Sequence, residues 1–155
     1  MQFSSKEDIE APIETVFAAL SEFEAFERSA IRRGIEVQRA NEAGVIGAGM
    51  AWEAAFDLRG KPRKLHLELC EFDAPNGMRF ESESFGLAGT LTIDLVALSP
   101  KRTRMATVLN LAPKSLSSRL FLQSLKLAKA NLTKRFKIKV ADFAKSIETG
   151  KPRRI

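Results

Sequence analysis

Asp8-Ile9-Glu10-Ala11-Pro12-Ile13-Glu14-Thr15-Val16-Phe17 is the stretch whose reading decides the fold. It joins a strand directly to a helix. Upstream, residues 2–10 alternate, with Phe3, Ser5, Glu7 and Ile9 on one face. Pro12 stands at a first helical position, where its missing N–H costs nothing. Ile13, Val16, Phe17 and Leu20 then recur at helical spacing. Ser21 reads as the N-cap of a second short helix, with Glu24 three residues on completing a capping box. That helix carries Phe23, Phe26 and Ile31 and ends near Gly34.

Beyond it the spacing predicts six strands, over residues 35–39, 50–59, 63–72, 78–85, 90–98 and 103–111. Turn chemistry separates them: Arg59-Gly60-Lys61-Pro62, Ala74-Pro75-Asn76-Gly77, Gly86-Leu87-Ala88-Gly89 and Ser99-Pro100-Lys101. Connectors this short force antiparallel neighbours. Trp52, Ala54, Phe56 and Leu58 share a face, opposite Glu53, Asp57 and Arg59. Leu65, Leu67 and Leu69 oppose Lys64, His66 and Glu68. Leu91, Ile93 and Leu95 oppose Thr90, Thr92 and Asp94. One sheet face is therefore apolar and the other wet, as when a single side is covered.

The cover is the last segment. Pro113 stops the final strand, and Ser115 or Ser117 can cap a helix over residues 115–148. Phe121, Leu125, Ala128, Leu132, Phe136, Val140, Phe143 and Ile147 recur at three- or four-residue steps, and Lys126, Lys129, Lys134, Lys137 and Lys145 fill much of the rest. This predicts one amphipathic rod of about 50 Å, long enough to cross the sheet. The fold class is α+β: a curved seven-stranded antiparallel sheet, two short helices and a long C-terminal helix.

The 155 residues read as one domain over 1–149 with a short basic tail over 150–155. A chain of this size buries about two-thirds of its unfolded surface and needs no disulfide or metal staple. Cys70 is alone. Glu7, Asp8 and Glu10 interrupt any secretory signal, and no run of 18 apolar residues exists, so a cytoplasmic setting is expected. The net charge of +6 is uneven: residues 1–113 hold 13 Lys+Arg against 17 Asp+Glu, and residues 114–155 hold 12 against 2. The plain reading is a solvated helix face; the sharper one is an anionic partner.

His66 is the single histidine, and alternation puts it on the wet face with Lys64 and Glu68. No zinc-ligand spacing exists, no tyrosine is available as an acid, and Gly44, Gly47 and Gly49 do not precede a helix as a phosphate loop would. Cys70 shares the wet face and reads as structural. Polar groups on the apolar face are Glu7, Ser82, Ser84 and Thr107. An inward hydroxyl orients a ligand or satisfies a backbone group. A buried Glu7 carboxylate needs a partner, and the plainer reading is that Glu7 lies at a strand end and reaches solvent. The loop 41–49 reads equally as a lid or an ordinary hairpin loop.

The segment Ile9-x-Ala11-Pro12-x-x-x-Val16-Phe17-x-x-Leu20-x-x-Phe23, with the order strand, two helices, six strands, long helix, resembles the SRPBCC superfamily. That group includes START lipid-binding domains, Bet v 1-like proteins and polyketide cyclase/dehydrase-like bacterial proteins. The resemblance spans essentially the whole chain. Many members carry a tryptophan in the second helix, where Phe23 and Phe26 stand here. It implies a helix-grip fold with a cavity between the concave sheet face and the C-terminal helix.

The expected function is binding, transport or sequestration of a small hydrophobic or amphipathic ligand in that cavity. The expected ligand-binding residues are Trp52, Phe56, Leu67, Met78, Phe80, Ser82, Leu91, Thr107, Leu109, Phe121 and Leu125. No catalytic residue, cofactor or metal is expected, and no specific nucleic acid. Weak contact of the basic helix with anionic membranes is the secondary expectation. The alternatives are a polyketide cyclase/dehydratase-like enzyme, for which Glu7 is the visible acid–base group, and a basic-helix adaptor for a protein, ribosome or membrane.

Overall fold

The structure, a computed structural model, describes residues 1–41 and 45–150. Its elements are β1 (Gln2–Ile9), α1 (Ile13–Leu20), α2 (Phe23–Arg32), β2 (Glu36–Arg39), β3 (Ala51–Leu58), β4 (Lys61–Asp73), β5 (Gly77–Ser84), β6 (Leu87–Ser99), β7 (Arg102–Pro113), α3 (Leu116–Lys126) and α4 (Lys129–Thr149). The strands form one seven-stranded sheet in the order β1-β7-β6-β5-β4-β3-β2, every neighbouring pair antiparallel. It is a meander from β2 to β7, and the first strand docks beside the last. Gln2 lies opposite Asn110 and Ile9 opposite Thr103.

Two connectors are tighter than the sequence spacing suggests. Arg59 and Gly60 have φ of 52° and 77°, and Phe85 and Gly86 have 40° and 76°. Positive φ at both central residues defines a two-residue hairpin turn whose twist matches the strands it joins. Pairing therefore begins at once: Leu58 pairs Lys61, and Ser84 pairs Leu87. Residues 61–62 and 87–89, read as loop from their Gly and Pro content, belong to β4 and β6.

The helices bring two corrections. Ser21 does not cap α2. It ends α1, its hydroxyl donating to the Phe17 carbonyl at 2.8 Å, and Glu22 precedes α2 without a side-chain cap. The C-terminal rod is also broken. Ala128 N–H donates to the Leu125 carbonyl and Leu132 N–H to the Ala128 carbonyl, so α3 ends and α4 starts afresh. No glycine or proline marks the break. The reason is tertiary: α3 lies across the Phe85–Gly86 turn while α4 runs along β1, with Phe136 meeting Phe3 at 6.1 Å and Phe143 meeting Phe26 at 5.8 Å between ring centroids. A straight helix cannot follow both paths. Ala128, placed in the buried stripe by periodicity, is exposed at the break, and Leu122 is buried instead.

Ser115 caps α3 in a reciprocal box with Ser118. The core gathers Ile9, Val16, Phe17, Leu20, Phe23, Trp52, Leu69, Met78, Phe80, Ile93, Met105, Phe143 and Ile147. It fills the end of the concave face that α1, α2 and the last turns of α4 cover. Phe136 and Val140 are half-buried. No helix among the described residues is long and apolar enough to cross a membrane. The basic tail 151–155 and residues 42–44 of the expected lid lie outside the described residues; Asn41 Nδ2 donates to the Gly49 carbonyl at 2.8 Å, tying the loop's ends.

Candidate functional site

Cross-strand register sorts the inward residues into rows. Trp52, Leu67, Ser82 and Gly89 form one row; Leu69, Phe80, Leu91, Leu109 and Phe3 form the next. Trp52 is 5% exposed. Its ring packs on Phe23 at 5.5 Å and on Phe80 at 6.3 Å, and its indole N–H donates to Glu27 Oε2 at 2.7 Å. Met78 and Phe80 are equally sealed. These three expected ligand-binding residues make a packed floor. Glu27, on α2, also accepts from Arg39 Nε at 2.9 Å. Burial pushes its carboxyl up, but the hydrogen bonds from Arg39 and Trp52 outweigh that and hold it below the usual range. Sequence reading passed over Glu27. Its signal was position: it lies four residues after Phe23, on the inward face of α2.

Toward α3 the same sheet face is only half-covered. Phe56, Leu65, Leu67, Ser82, Leu91, Leu109, Leu111, Phe121 and Leu125 are half-buried. This second region holds Phe56, Leu67, Ser82, Leu91, Leu109, Phe121 and Leu125 of the expected set. Thr107 stands apart, opposite Ser5 near the β1 edge. α3 itself turns Leu116 and Leu120 outward, and Leu127, just past its end, is 92% exposed.

The inward polar groups divide in two. Ser84 Oγ donates to the Lys64 carbonyl at 2.6 Å and Thr103 to the Ala11 carbonyl at 2.8 Å, so both serve the backbone. Ser5, Glu7, Ser82 and Thr107 have no side-chain partner among the described residues. Ser5, Glu7 and Thr107 line a cleft of about 300 Å³ between the β1–β7 edge and α4, and Lys137 of α4 borders it. Lys137, grouped with the outward lysines by periodicity, thus shares a cleft with Ser5, Glu7 and Thr107 while staying exposed.

One inward cation was not singled out from the sequence. Arg63 sits opposite Phe56 and continues the alternation of Leu65, Leu67 and Leu69, which was its signal. Its guanidinium lies 4.4 Å from the Phe85 ring centroid. The Phe85 ring meets Phe121 edge-on at 5.1 Å, and the Arg59 guanidinium lies 5.3 Å from the Phe121 centroid.

The convex face is wet. Asp8 accepts from Arg104 at 2.8 Å, and that bond holds its carboxyl below the usual range despite some desolvation. His66 is 47% exposed and its Nδ1 lies 2.5 Å from Glu53 Oε1. Cys70 lies 3.4 Å from both Glu68 and Glu81; burial first, then those carboxylates, push its thiol up to about 11. A thiol that stays protonated is a poor nucleophile. Among the described residues no cluster of three His, Cys, Asp or Glu could hold a metal ion.

A seven-stranded curved antiparallel sheet, two short helices and a C-terminal helical cover constitute an α+β helix-grip fold. Solved structures agree. The crystal structure of TTHA0849 from Thermus thermophilus superposes with a TM-score of 0.68 at 17% identity, over 97% of this chain and 99% of that one. A START superfamily protein from Mycobacterium smegmatis gives a TM-score of 0.56 at 14% identity, over 86% and 95%. The Zhui aromatase/cyclase from Streptomyces sp. R1128 gives 0.57 at 12% identity, over 74% and 69%. No protein-family model and no curated protein sequence matches the chain.

Proposed function

We propose that this chain binds a small hydrophobic or amphipathic molecule on the concave sheet face beneath α3 and the start of α4. It acts as a carrier or sequestering domain with no chemistry of its own. One observation carries the reading: the apolar inner face is sealed at one end and only half-covered at the other. Phe56, Leu67, Leu91, Leu109, Phe121 and Leu125 face inward yet stay half-buried. A protein that leaves such a surface incompletely covered has a use for it. Trp52, Met78 and Phe80 form the floor, and Ser82, free of side-chain partners among the described residues, supplies a polar group that fixes orientation. The likeness to a START superfamily protein adds support at the level of fold.

Native mass spectrometry of freshly purified protein, followed by organic extraction, tests this without a guess at identity. The expected result is a stoichiometric apolar compound, or saturable uptake of long-chain amphiphiles. A protein that takes up no apolar probe at any concentration refutes it.

A cyclase-like enzyme is the second reading, and the juxtaposition of Glu7 and Lys137 in one cleft favours it. Two oppositely charged groups beside Ser5 and Thr107 are a usable acid–base set. Turnover of a poly-β-keto thioester, abolished in Glu7→Gln, would establish it. A chain inert toward such substrates, with ligand uptake intact, leaves the carrier.

A further inference from the structure

We infer that the ligand's polar end is a carboxylate, held by Arg63 at the α3 end of the groove. This rests on the groove-binding reading above and adds the chemical class. Arg63 Nε is shut off from solvent and has no hydrogen-bond partner among the described residues. A buried donor left unpaired is costly, and more so when it belongs to a cation. Arginine does not escape by losing its proton. The surroundings supply no acid. Arg28, Arg39, Arg79, Arg102 and Arg104 each pair with a carboxylate; among the described arginines without an ion pair, Arg32, Arg33, Arg59, Arg119 and Arg135 are exposed, and Arg63 alone is half-buried.

What the site does supply is aromatic. Arg63 lies on Phe85, Phe85 abuts Phe121, and Phe121 carries Arg59, whose Nη1 donates to Ser124 Oγ at 3.2 Å. Two guanidinium groups are thus held over rings at the junction of the β3–β4 turn, the β5–β6 turn and α3. A ring face steadies a cation without neutralising it. With Nε sealed, the two terminal nitrogens stay able to take a planar anion end-on through two parallel hydrogen bonds, one geometry of an arginine–carboxylate pair. The groove floor beyond is apolar: Phe56 directly opposite Arg63, then Leu65 and Leu67 along β4. An anionic head at Arg63 with an apolar body running toward Trp52 fits that order of side chains.

The test compares laurate, dodecanol and dodecyltrimethylammonium on the full chain by calorimetry, at one salt concentration. Laurate is expected to bind at least about tenfold tighter than dodecanol, and the cation more weakly than either. Arg63→Gln is expected to erase laurate's advantage while leaving dodecanol unchanged. Arg63→Lys, which keeps the charge and loses the fork, is expected to fall between them. Equal binding of laurate and dodecanol by the native chain overturns this inference while leaving the groove reading intact. Failure of all three probes overturns the groove reading and this inference with it. Should Arg63→Gln not fold, the native comparison still decides, and Arg59→Gln, at an exposed turn, is expected to weaken laurate alone.

Discussion

The Trp52 indole N–H and the Glu27 carboxylate, 2.7 Å apart, tie the sheet to α2 through one charge-assisted hydrogen bond. Glu27 is only 20% exposed in its side chain and also holds Arg39. Its carboxyl is depressed in the folded state, so its contribution is full above the ordinary glutamate range and is lost as pH falls through and below it. Glu27→Ala is expected to cost about 1.5–3 kcal/mol at neutral pH, the range for hydrogen bonds to a charged group. It should also remove an acid-induced change in tryptophan emission, since Trp52 is the single tryptophan. An unchanged acid profile in that variant would contradict the assignment.

Phe143→Ala is expected to destabilise by about 3–5 kcal/mol, because the ring is buried between α4 and α2. Leu127→Ser, at the exposed break, is expected to stay within about 0.5 kcal/mol. Urea denaturation of the two proteins separates α4 as cover from the break as a surface feature. Equal losses would mean that the break is packed.

Gly60 and Gly86 occupy the same position in two hairpin turns but have different neighbours. A Cβ on Gly60 meets nothing within 4 Å; one on Gly86 falls 2.5 Å from Ser115 Oγ, the cap of α3. Gly60→Ala is expected to cost about 1–2 kcal/mol for the left-handed backbone alone. Gly86→Ala should cost more, by roughly the 0.5–2 kcal/mol of a lost cap. Thermal melts that rank the two the other way would break the link between turn and helix.

His66 stands half-exposed on the convex face. His66→Ala is expected to change stability by less than about 0.5 kcal/mol and to leave ligand uptake untouched. Loss of uptake would place the histidine in the site after all.

The lysines of α3 and α4, on a cover that also exposes Leu116, Leu120 and Leu127, suit a weak interfacial contact. Sedimentation with anionic vesicles should show binding at low salt that is gone by about 0.15 M, where the Debye length is about 8 Å. Retention at that salt, abolished by exchanging Lys126, Lys129, Lys134 and Lys137 for Gln with the melting temperature preserved, would move the function to the helix surface.

Much of this architecture was legible in the chain because alternation and capping are local. The Pro12 helix start, the two sheet faces and the wet placement of His66 all follow from spacing. The break at Leu127 did not, since it answers to the sheet's shape and to the Phe3–Phe136 contact. Ser21 matched a capping pattern whose geometry goes to Phe17 instead. Within the site, apolar residues were legible as inward but not as sealed or half-covered: Trp52 and Leu67 share a row and differ in cover. Glu27, Lys137 and Arg63 were missed because each charged residue reads as solvent-facing until a second element is placed over it.

The partnering of β1 with β7 has a consequence for synthesis on the ribosome. Strands β2 to β7 can zip in the order they emerge, but β1, made first, has no neighbour until residue 113 is out, and α4 covers it later still. At roughly 5–20 residues per second, that strand waits on the order of ten seconds. An unpaired strand is an invitation to aggregate. Here Lys6, Glu7 and Asp8 crowd its second half and Glu10 follows just past its end, and charges in that position act as gatekeepers while the chain is unfinished. The Lys6 and Asp8 charges that look ornamental on the folded convex face, and the Glu7 charge on the other face, are then protection for β1 while it waits for its partner.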